Sequence, residues 1–428
     1  MRSRLASLAL LLASVTMSAH AASPEQTASQ LLDRLQAGDI DAAEAMFTPE
    51  LAKDVPQARL QSLWQQLGGL KSRGPVQVEE QHGISTVLQQ LQVGSGPVNV
   101  AISVDAQGRV AGLFFQPVQP PVPPPPPVPA DATYRESEVQ IDSGKGALPG
   151  TLAMPAGKGP FPAVVLVHGS GPQDRNVTIG PNRPFLEVAR GLAAQGIAVL
   201  RYEKRTRARP QDFSGDFTVD DEVTDDAVAA LALLASTPEI DARHLYVIGH
   251  SQGGMVAPRI ASRSGKVAGV VLWSAPARSL LDLMPEQHRY IFNLDGQISP
   301  EEQAVLDRLD TQIAAARSDQ PTDRATLPLG LPSHYWRSLE QVNPVADAKA
   351  LSQPILVLHG GRDFQVIDTD WKLWSQALSG KATLHRYSQL NHLGIAGEGR
   401  SSLEEYRHPG HVDATLINDV ARWIKAQP

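Results

Sequence analysis

The sequence contains no cysteine, so disulfides, thiolate metal sites, a cysteine nucleophile and a lipidated amino-terminal cysteine are excluded together. Charge is also sparse: 19% of residues carry it, and 38 basic against 45 acidic side chains leave a net charge of −7. With no basic surplus there is no overall field to attract nucleic acid or anionic lipid, and neither is expected as a partner. Long apolar runs are missing beyond the first residues, so stable membrane insertion is not expected either. Hydrophobic material is plentiful, at 42% of 428 residues, enough for two cores at roughly 100–200 residues per domain.

Residues 1–21 read as an export address. Arg2 and Arg4 precede an apolar run from Leu5 to Val15, and Ala19-His20-Ala21 has the small-x-small pattern of a cleavage site. The run is shorter than the ~20 residues needed to span a bilayer, so cleavage before Ala22 and a periplasmic or secreted location are expected.

Residues 117–133 form a proline-rich linker. Near-continuous proline from Pro117 to Pro129 admits neither helix nor central strand and favours polyproline II, a stiff spacer of roughly 40 Å if fully extended. Residues 22–116, before it, suggest a small α+β domain. Leu31, Leu32 and Leu35 open a helix ending at Gly38. Asp41 and Glu44 suggest a capping pair for a second helix through Phe47, and Leu60, Leu63, Trp64 and Leu67 mark a third. Alternating segments at Val76–Glu80, Ser85–Leu91, Val98–Val104 and Val110–Phe115 then predict an antiparallel meander. No titratable cluster stands out there.

Residues 134–428 alternate strands with helices. An opening antiparallel pair, Glu138–Ile141 and Thr151–Met154, precedes short buried strands at Ala163–Val167, Ala198–Tyr202, Leu245–Ile248, Val267–Leu272, Ile355–Leu358 and Thr383–Tyr387. The fold class is therefore α/β, a mostly parallel, doubly wound sheet, and function is to be sought just after the strands.

Three such strand ends form one chemical constellation. Gly249-His250-Ser251-Gln252-Gly253 fits G-x-S-x-G, a tight strand-to-helix turn whose glycines allow close backbone approach and lift the serine hydroxyl above the sheet. A serine hydroxyl needs a base, and the base needs an orienting carboxylate. His392 and Asp363 follow later strands and are assigned those roles; Asp368 and Asp370 read as helix-capping residues, and His408 and His411 lie beyond the last strand. The glycine-rich loop at His168-Gly169-Ser170-Gly171 supplies a backbone amide, that of Ser170, to hold a developing oxyanion together with the amide of Gln252. His168 itself reads as structural. The acidic run Asp220–Asp226, with Arg201, Glu203, Lys204 and Arg205, reads as helix-start charges and ion pairs.

An excursion at about 277–350, with helical patterns at Leu280–Phe292 and Pro300–Ala316, is expected to form a helical lid. Met284, Tyr290, Phe292, Leu329, Leu331, Tyr335 and Trp336 are its candidate pocket residues, each equally able to serve as packing.

With these residues in view, the chain from Tyr134 onward resembles the serine esterases of the α/β-hydrolase superfamily, in which Ser251, Asp363 and His392 follow the expected chain order. More narrowly, His168-Gly-Ser-Gly-Pro-Gln-Asp-Arg175, Ile179-Gly-Pro-Asn-Arg-Pro-Phe185, Arg201-Tyr-Glu-Lys-Arg205, Gly249-His-Ser-Gln-Gly-Gly254 and Leu390-Asn-His-Leu393 resemble exported bacterial carboxylesterases of the EstD type, grouped with serine aminopeptidase-like hydrolases. The first domain is similar to a small NTF2- or cystatin-like module found ahead of such hydrolases. The resemblance implies hydrolysis of short-chain acyl esters through an acyl-enzyme, with a small-molecule ester as partner and no metal or organic cofactor. It breaks at Thr206-Arg207-Ala208-Arg209, where such enzymes commonly carry Gly after the Arg-Tyr-Asp/Glu-Lys-Arg stretch. A peptidase, aminopeptidase or thioesterase would use the same machinery, and a non-catalytic envelope-binding protein is the distant alternative. Nothing in the sequence specifies an oligomeric state.

Overall fold

A computed structural model describes residues 22–81, 83–118, 123–318, 320 and 322–428. The expected export address lies outside the described residues, as do residues 119–122 of the proline-rich run. The chain divides into two compact units at residues 122/123.

The first unit opens with four helices, α1 (Pro24–Ala37), α2 (Ile40–Glu44), α3 (Pro49–Asp54) and α4 (Gln57–Leu67). The strands β1 (Leu70–Gln81), β2 (Ile84–Val93), β3 (Gly96–Val104) and β4 (Val110–Pro117) follow as an antiparallel meander in sequence order. Leu31, Leu32 and Leu35 of α1 pack on Val87, Leu91, Val100 and Ile102, the inward-facing residues of the sheet. Ser23 and Gln26 cap α1 reciprocally, and Gly38 ends it at φ 77°. The second helix differs from its sequence reading: Asp39, not Asp41, accepts the capping bond, from the Ala42 amide, and the helix stops at Glu44. Phe47 is drawn away to bridge Val110, with the Thr48 amide donating to Val110 O at 2.8 Å. Thr48 then caps α3, a helix too short to show a period in sequence.

The second unit is built on eight strands, β5 (Tyr134–Ile141), β6 (Leu148–Pro155), β7 (Phe161–Val167), β8 (Ala198–Tyr202), β9 (Ile240–His250), β10 (Val267–Trp273), β11 (Ile355–Gly360) and β12 (Ala382–Tyr387). Their spatial order is β12-β11-β10-β9-β7-β8-β6-β5. β6 runs opposite to the other seven strands, pairing antiparallel with β5 and β8. All eight expected strands are present. Between them lie α5 (Pro184–Ala193), α6 (Arg205–Ala208), α7 (Asp225–Ser236), α8 (Gln252–Ser264), α9 (Leu280–Phe292), α10 (Pro300–Ala316), α11 (Ser333–Glu340), α12 (Pro344–Ala350) and α13 (Asp368–Ala377), and α14 (Ala414–Lys425) ends the chain. A π-helical turn, Asp220–Thr224, leads into α7.

Alternation along the strands explains why their sequences are apolar throughout. Val165, Leu200, Val247, Val270 and Val357 face one core with α7 and α8. Val164, Leu166, Val199, Tyr246, Ile248, Val271, Leu356 and Leu358 face the other with α5 and α14. A sheet covered on both sides has no polar face to reveal a period of two. The excursion after β10 holds α9 and α10 as predicted, and also α11 and α12, each begun beside a proline (Pro332, Pro344).

The described part of the proline-rich run is not a free spacer at its ends. Val118 donates its amide to Pro97 O at 2.8 Å within the first unit. Within the second, Arg183 bonds Pro123 O and Arg190 Nη1 reaches Pro127 O at 3.4 Å.

Candidate active site

Ser251 stands between β9 and α8 with φ 55° and ψ −124°, a strained conformation for a residue other than glycine. Its amide donates to Trp273 O at 3.0 Å. Both glycines of the motif are required by close approach. A Cβ on Gly249 would sit 2.2 Å from Gly253 O, and one on Gly253 would sit 2.3 Å from Val167 O. Any side chain there would push β9, α8 and β7 apart, and the hydroxyl would lose its place.

Asp363 lies just beyond β11, and His392 in the turn beyond β12. His392 Nδ1 and Asp363 Oδ2 are 2.8 Å apart, with both side chains buried. The second oxygen of Asp363 accepts from the amides of Gln365 and Val366 at 2.8 and 2.9 Å. Burial alone would raise this carboxyl, but the His392 ring and its hydrogen bond, with the Val366 amide, hold it below its ordinary value. Asn391 builds the turn that presents His392: its Oδ1 accepts from the Leu393 and Ile395 amides at 3.0 and 3.1 Å.

His250, which precedes Ser251, ties that turn to the serine. Its Nε2 donates to His392 O at 2.9 Å, and the two rings lie 4.7 Å apart. Burial and the neighbouring His392 push its pKa down to about 3, so it is neutral. His168 is likewise neutral, pushed to about 3 by burial and by Lys204, and lies between the rings of Phe185 and Tyr202. The loop it opens runs against the serine: a Cβ on Gly169 would lie 3.0 Å from Ser251 Cβ and 3.5 Å from Oγ. Ser170 follows, exposed, while Gln252 is fully buried at the start of α8.

The candidate pocket residues divide. Tyr335 is buried and accepts a hydrogen bond from Gln252 Nε2 at 2.7 Å. Tyr290 stacks on Phe364, next to Asp363, with ring centroids 5.1 Å apart, and its hydroxyl donates to Ser401 O at 2.8 Å. Trp336 is buried in the main core, with Met284 and Leu331 packed against it. Phe292 meets His288 edge to face, and Leu329 is exposed.

Two expectations about the rival groups need correction. Asp368 and Asp370 do not cap α13, whose start has no side-chain cap. Asp370 is fully buried and accepts from the Ala277 amide at 2.9 Å and from Arg278 at 2.8 Å, anchoring the start of the excursion. Asp368 pairs with Arg386. His408 and His411 are exposed, on Glu404 and Glu187.

The charges after β8 form ion pairs with the acidic run, as the sequence reading expects, and the structure adds that two of these pairs are buried and which partners they join. Lys204 Nζ lies 2.7 Å from Glu222 Oε1 and donates to Gly169 O at 2.7 Å. Arg205 forks onto Asp226. The available signal was positional: Lys204 occupies a strand end, as Ser251, Asp363 and His392 do. Among the described residues, no three acidic or histidine side chains converge as a metal site.

Residues 160–398 match the family model described as serine aminopeptidase, S33. The chain belongs to that family. It is thus an enzyme, a hydrolase of the α/β-hydrolase superfamily, and the eight-stranded sheet is that fold. It is similar to Esterase EstD of Thermotoga maritima, with 35% identity over 411 residues, covering 94% of this chain and 95% of that one. Among solved structures it is similar to an esterase of Pyrococcus furiosus, at 18% identity and a TM-score of 0.44, covering 72% of this chain and 97% of the other. It is also similar to Est1E of Butyrivibrio proteoclasticus with ferulic acid bound, at 18% identity and a TM-score of 0.45, covering 68% and 98%.

Proposed function

We propose that this S33-family hydrolase is a carboxylesterase that cleaves short-chain acyl esters through an acyl-enzyme. The observation that carries the reading is the buried 2.8 Å contact between His392 and Asp363 beside the strained Ser251 turn. Ser251 Oγ attacks the ester carbonyl carbon while His392 Nε2 takes its proton, and Asp363 keeps the other ring nitrogen protonated. The Ser170 and Gln252 amides receive the oxyanion. Collapse of the tetrahedral intermediate breaks the bond to the alkoxy oxygen, which leaves with the proton from His392. Water, deprotonated by the same nitrogen, then releases the acid and restores the serine.

The excursion bearing α9 to α11 is proposed as a lid, with Met284, Tyr290, Phe292, Tyr335 and Trp336 shaping the acyl pocket. The name of the 35% identical relative favours esters, whereas the family description favours aminoacyl amides. A series of p-nitrophenyl esters from acetate upward, beside aminoacyl p-nitroanilides, tests the choice in wild type and Ser251→Ala. Ester turnover on short chains, lowered by at least about 10⁴-fold in the variant, is expected. Turnover of anilides alone would replace the esterase reading with the peptidase one. Export is part of the proposal, supported by Arg2, Arg4 and the run Leu5–Val15; a mature amino terminus at Ala22 in exported protein is the expected result.

A further inference from the structure

We propose that Lys204, held by Glu222, is a positioning residue of the oxyanion hole: it orients the Gly169–Ser170 peptide so that the Ser170 amide points at the developing charge. The proposal rests on the roles given above to Ser251, Ser170 and Gln252.

Lys204 leaves the end of β8 and turns inward. It is 2% exposed and Glu222, on the π-helical turn before α7, is 6% exposed, so this is a buried ion pair and not a surface one. Such pairs contribute little net stability, because desolvation offsets their attraction. A second bond of the ammonium gives the pair a consequence: Lys204 Nζ donates to Gly169 O at 2.7 Å. The carbonyl of Gly169 and the amide of Ser170 belong to one planar trans peptide, so they point in opposite directions. Pulling the carbonyl toward Lys204 aims the Ser170 N–H away from it, on a segment where a Cβ added to Gly169 would lie 3.0 Å from Ser251 Cβ and 3.5 Å from its Oγ. A cationic donor on the carbonyl also polarises the peptide and strengthens its N–H as a donor.

Glu222 joins the second amide to the same device. Its Oε2 accepts from Gln252 Nε2 at 3.3 Å, and that nitrogen also donates to the Tyr335 hydroxyl at 2.7 Å. Burial and the Glu222 charge raise Tyr335 well above an ordinary phenol, so it stays neutral. Both residues that supply oxyanion amides are thereby fastened to one buried charge pair. These residues come from the turn after β8, the π-helical turn, α8 and α11, segments that no sequence window joins.

The test compares wild type, the charge-balanced Lys204→Met/Glu222→Gln, and Lys204→Gln, whose carboxamide can still donate to Gly169 O. Three quantities are read: kcat and KM on p-nitrophenyl acetate, affinity for an alkyl boronic acid, and the rate of Ser251 labelling by a fluorophosphonate. In labelling, the Oγ–P bond forms, the P–F bond breaks, fluoride leaves, His392 takes the serine proton and the phosphoryl oxygen enters the oxyanion hole. The double variant is expected to keep its melting temperature and its KM within about 3-fold. Its kcat, boronate affinity and labelling rate should fall together by about 10²-fold, the scale of losing one oxyanion donor. Lys204→Gln should recover part of that loss. Unchanged labelling in the double variant, or a fall in kcat without a fall in boronate affinity, overturns the proposal. If the double variant does not fold, the comparison of Lys204→Gln with Lys204→Ala decides: faster labelling with the carboxamide in place supports the carbonyl bond, and labelling no faster than Lys204→Ala overturns it. Should wild type turn over no ester, the esterase reading fails, while the labelling rates still decide the role of Lys204.

Discussion

Asp363 Oδ2 lies 2.8 Å from His392 Nδ1, while its other oxygen receives two backbone amides. An ionised carboxylate can only accept, so the ring proton resides on Nδ1 and Nε2 presents a lone pair. Asp363→Asn replaces that acceptor with an amide that can donate to Nδ1 and turn the tautomer round. The expected result is a fall in kcat on p-nitrophenyl acetate of about 10⁴-fold with the fold intact, checked by kinetics alongside circular dichroism.

His168 and His250 are buried and neutral, each with a pKa pushed down to about 3 from 6.5. Because the unfolded chain binds these protons first, stability is full above pH 6.5, falls as the pH drops through the window from 6.5 to 3, and levels off below it. Each histidine contributes a slope approaching about 1.4 kcal/mol per pH unit. Urea unfolding at pH 7, 6, 5 and 4 measures this, and His250→Phe should flatten the slope by one histidine's share.

Arg205 is a structural fork. It bonds both oxygens of Asp226 at 2.9 and 2.7 Å, with each side chain 2% exposed, and also bonds Lys145 O and Gly146 O. Arg205→Met leaves Asp226 buried without its partner and should cost about 3–5 kcal/mol, whereas Arg205→Met/Asp226→Leu should regain most of it. Thermal or urea unfolding of the two variants distinguishes them.

Asp370 fastens the excursion where it leaves the sheet, through the Ala277 amide and Arg278. Asp370→Ala strands that amide and should cost about 1–3 kcal/mol. Hydrogen exchange should quicken across α9 before the central strands respond. If α9 covers the acyl pocket, KM should rise more than kcat falls.

Much was legible in the sequence because it depends on local pattern. A strand buried on both faces must be apolar, so Ala163–Val167 or Ile355–Leu358 announces itself without a partner. Serine in a strand-to-helix turn needs glycines on either side, and a Cβ added at Gly249 or Gly253 would meet backbone oxygens at 2.2 and 2.3 Å. Asp363 and His392 were readable because they follow strands, and the strands end on one side of a parallel sheet.

Tertiary structure alone decided the rest. Asp370 looked like a cap but lies under the Ala277 amide, and Asp41 lost its cap to Asp39 once Gly38 ended α1. Lys204 and Glu222 belong to an ordinary-looking run of charges until β8 and the π-helical turn bring them to 2.7 Å. The reason is physical. A hydrophobic residue needs only to be buried, a requirement that periodicity reveals, whereas a buried charge needs one particular partner at one particular distance. That partner is chosen by the order β9-β7-β8 in space, and not by neighbours along the chain.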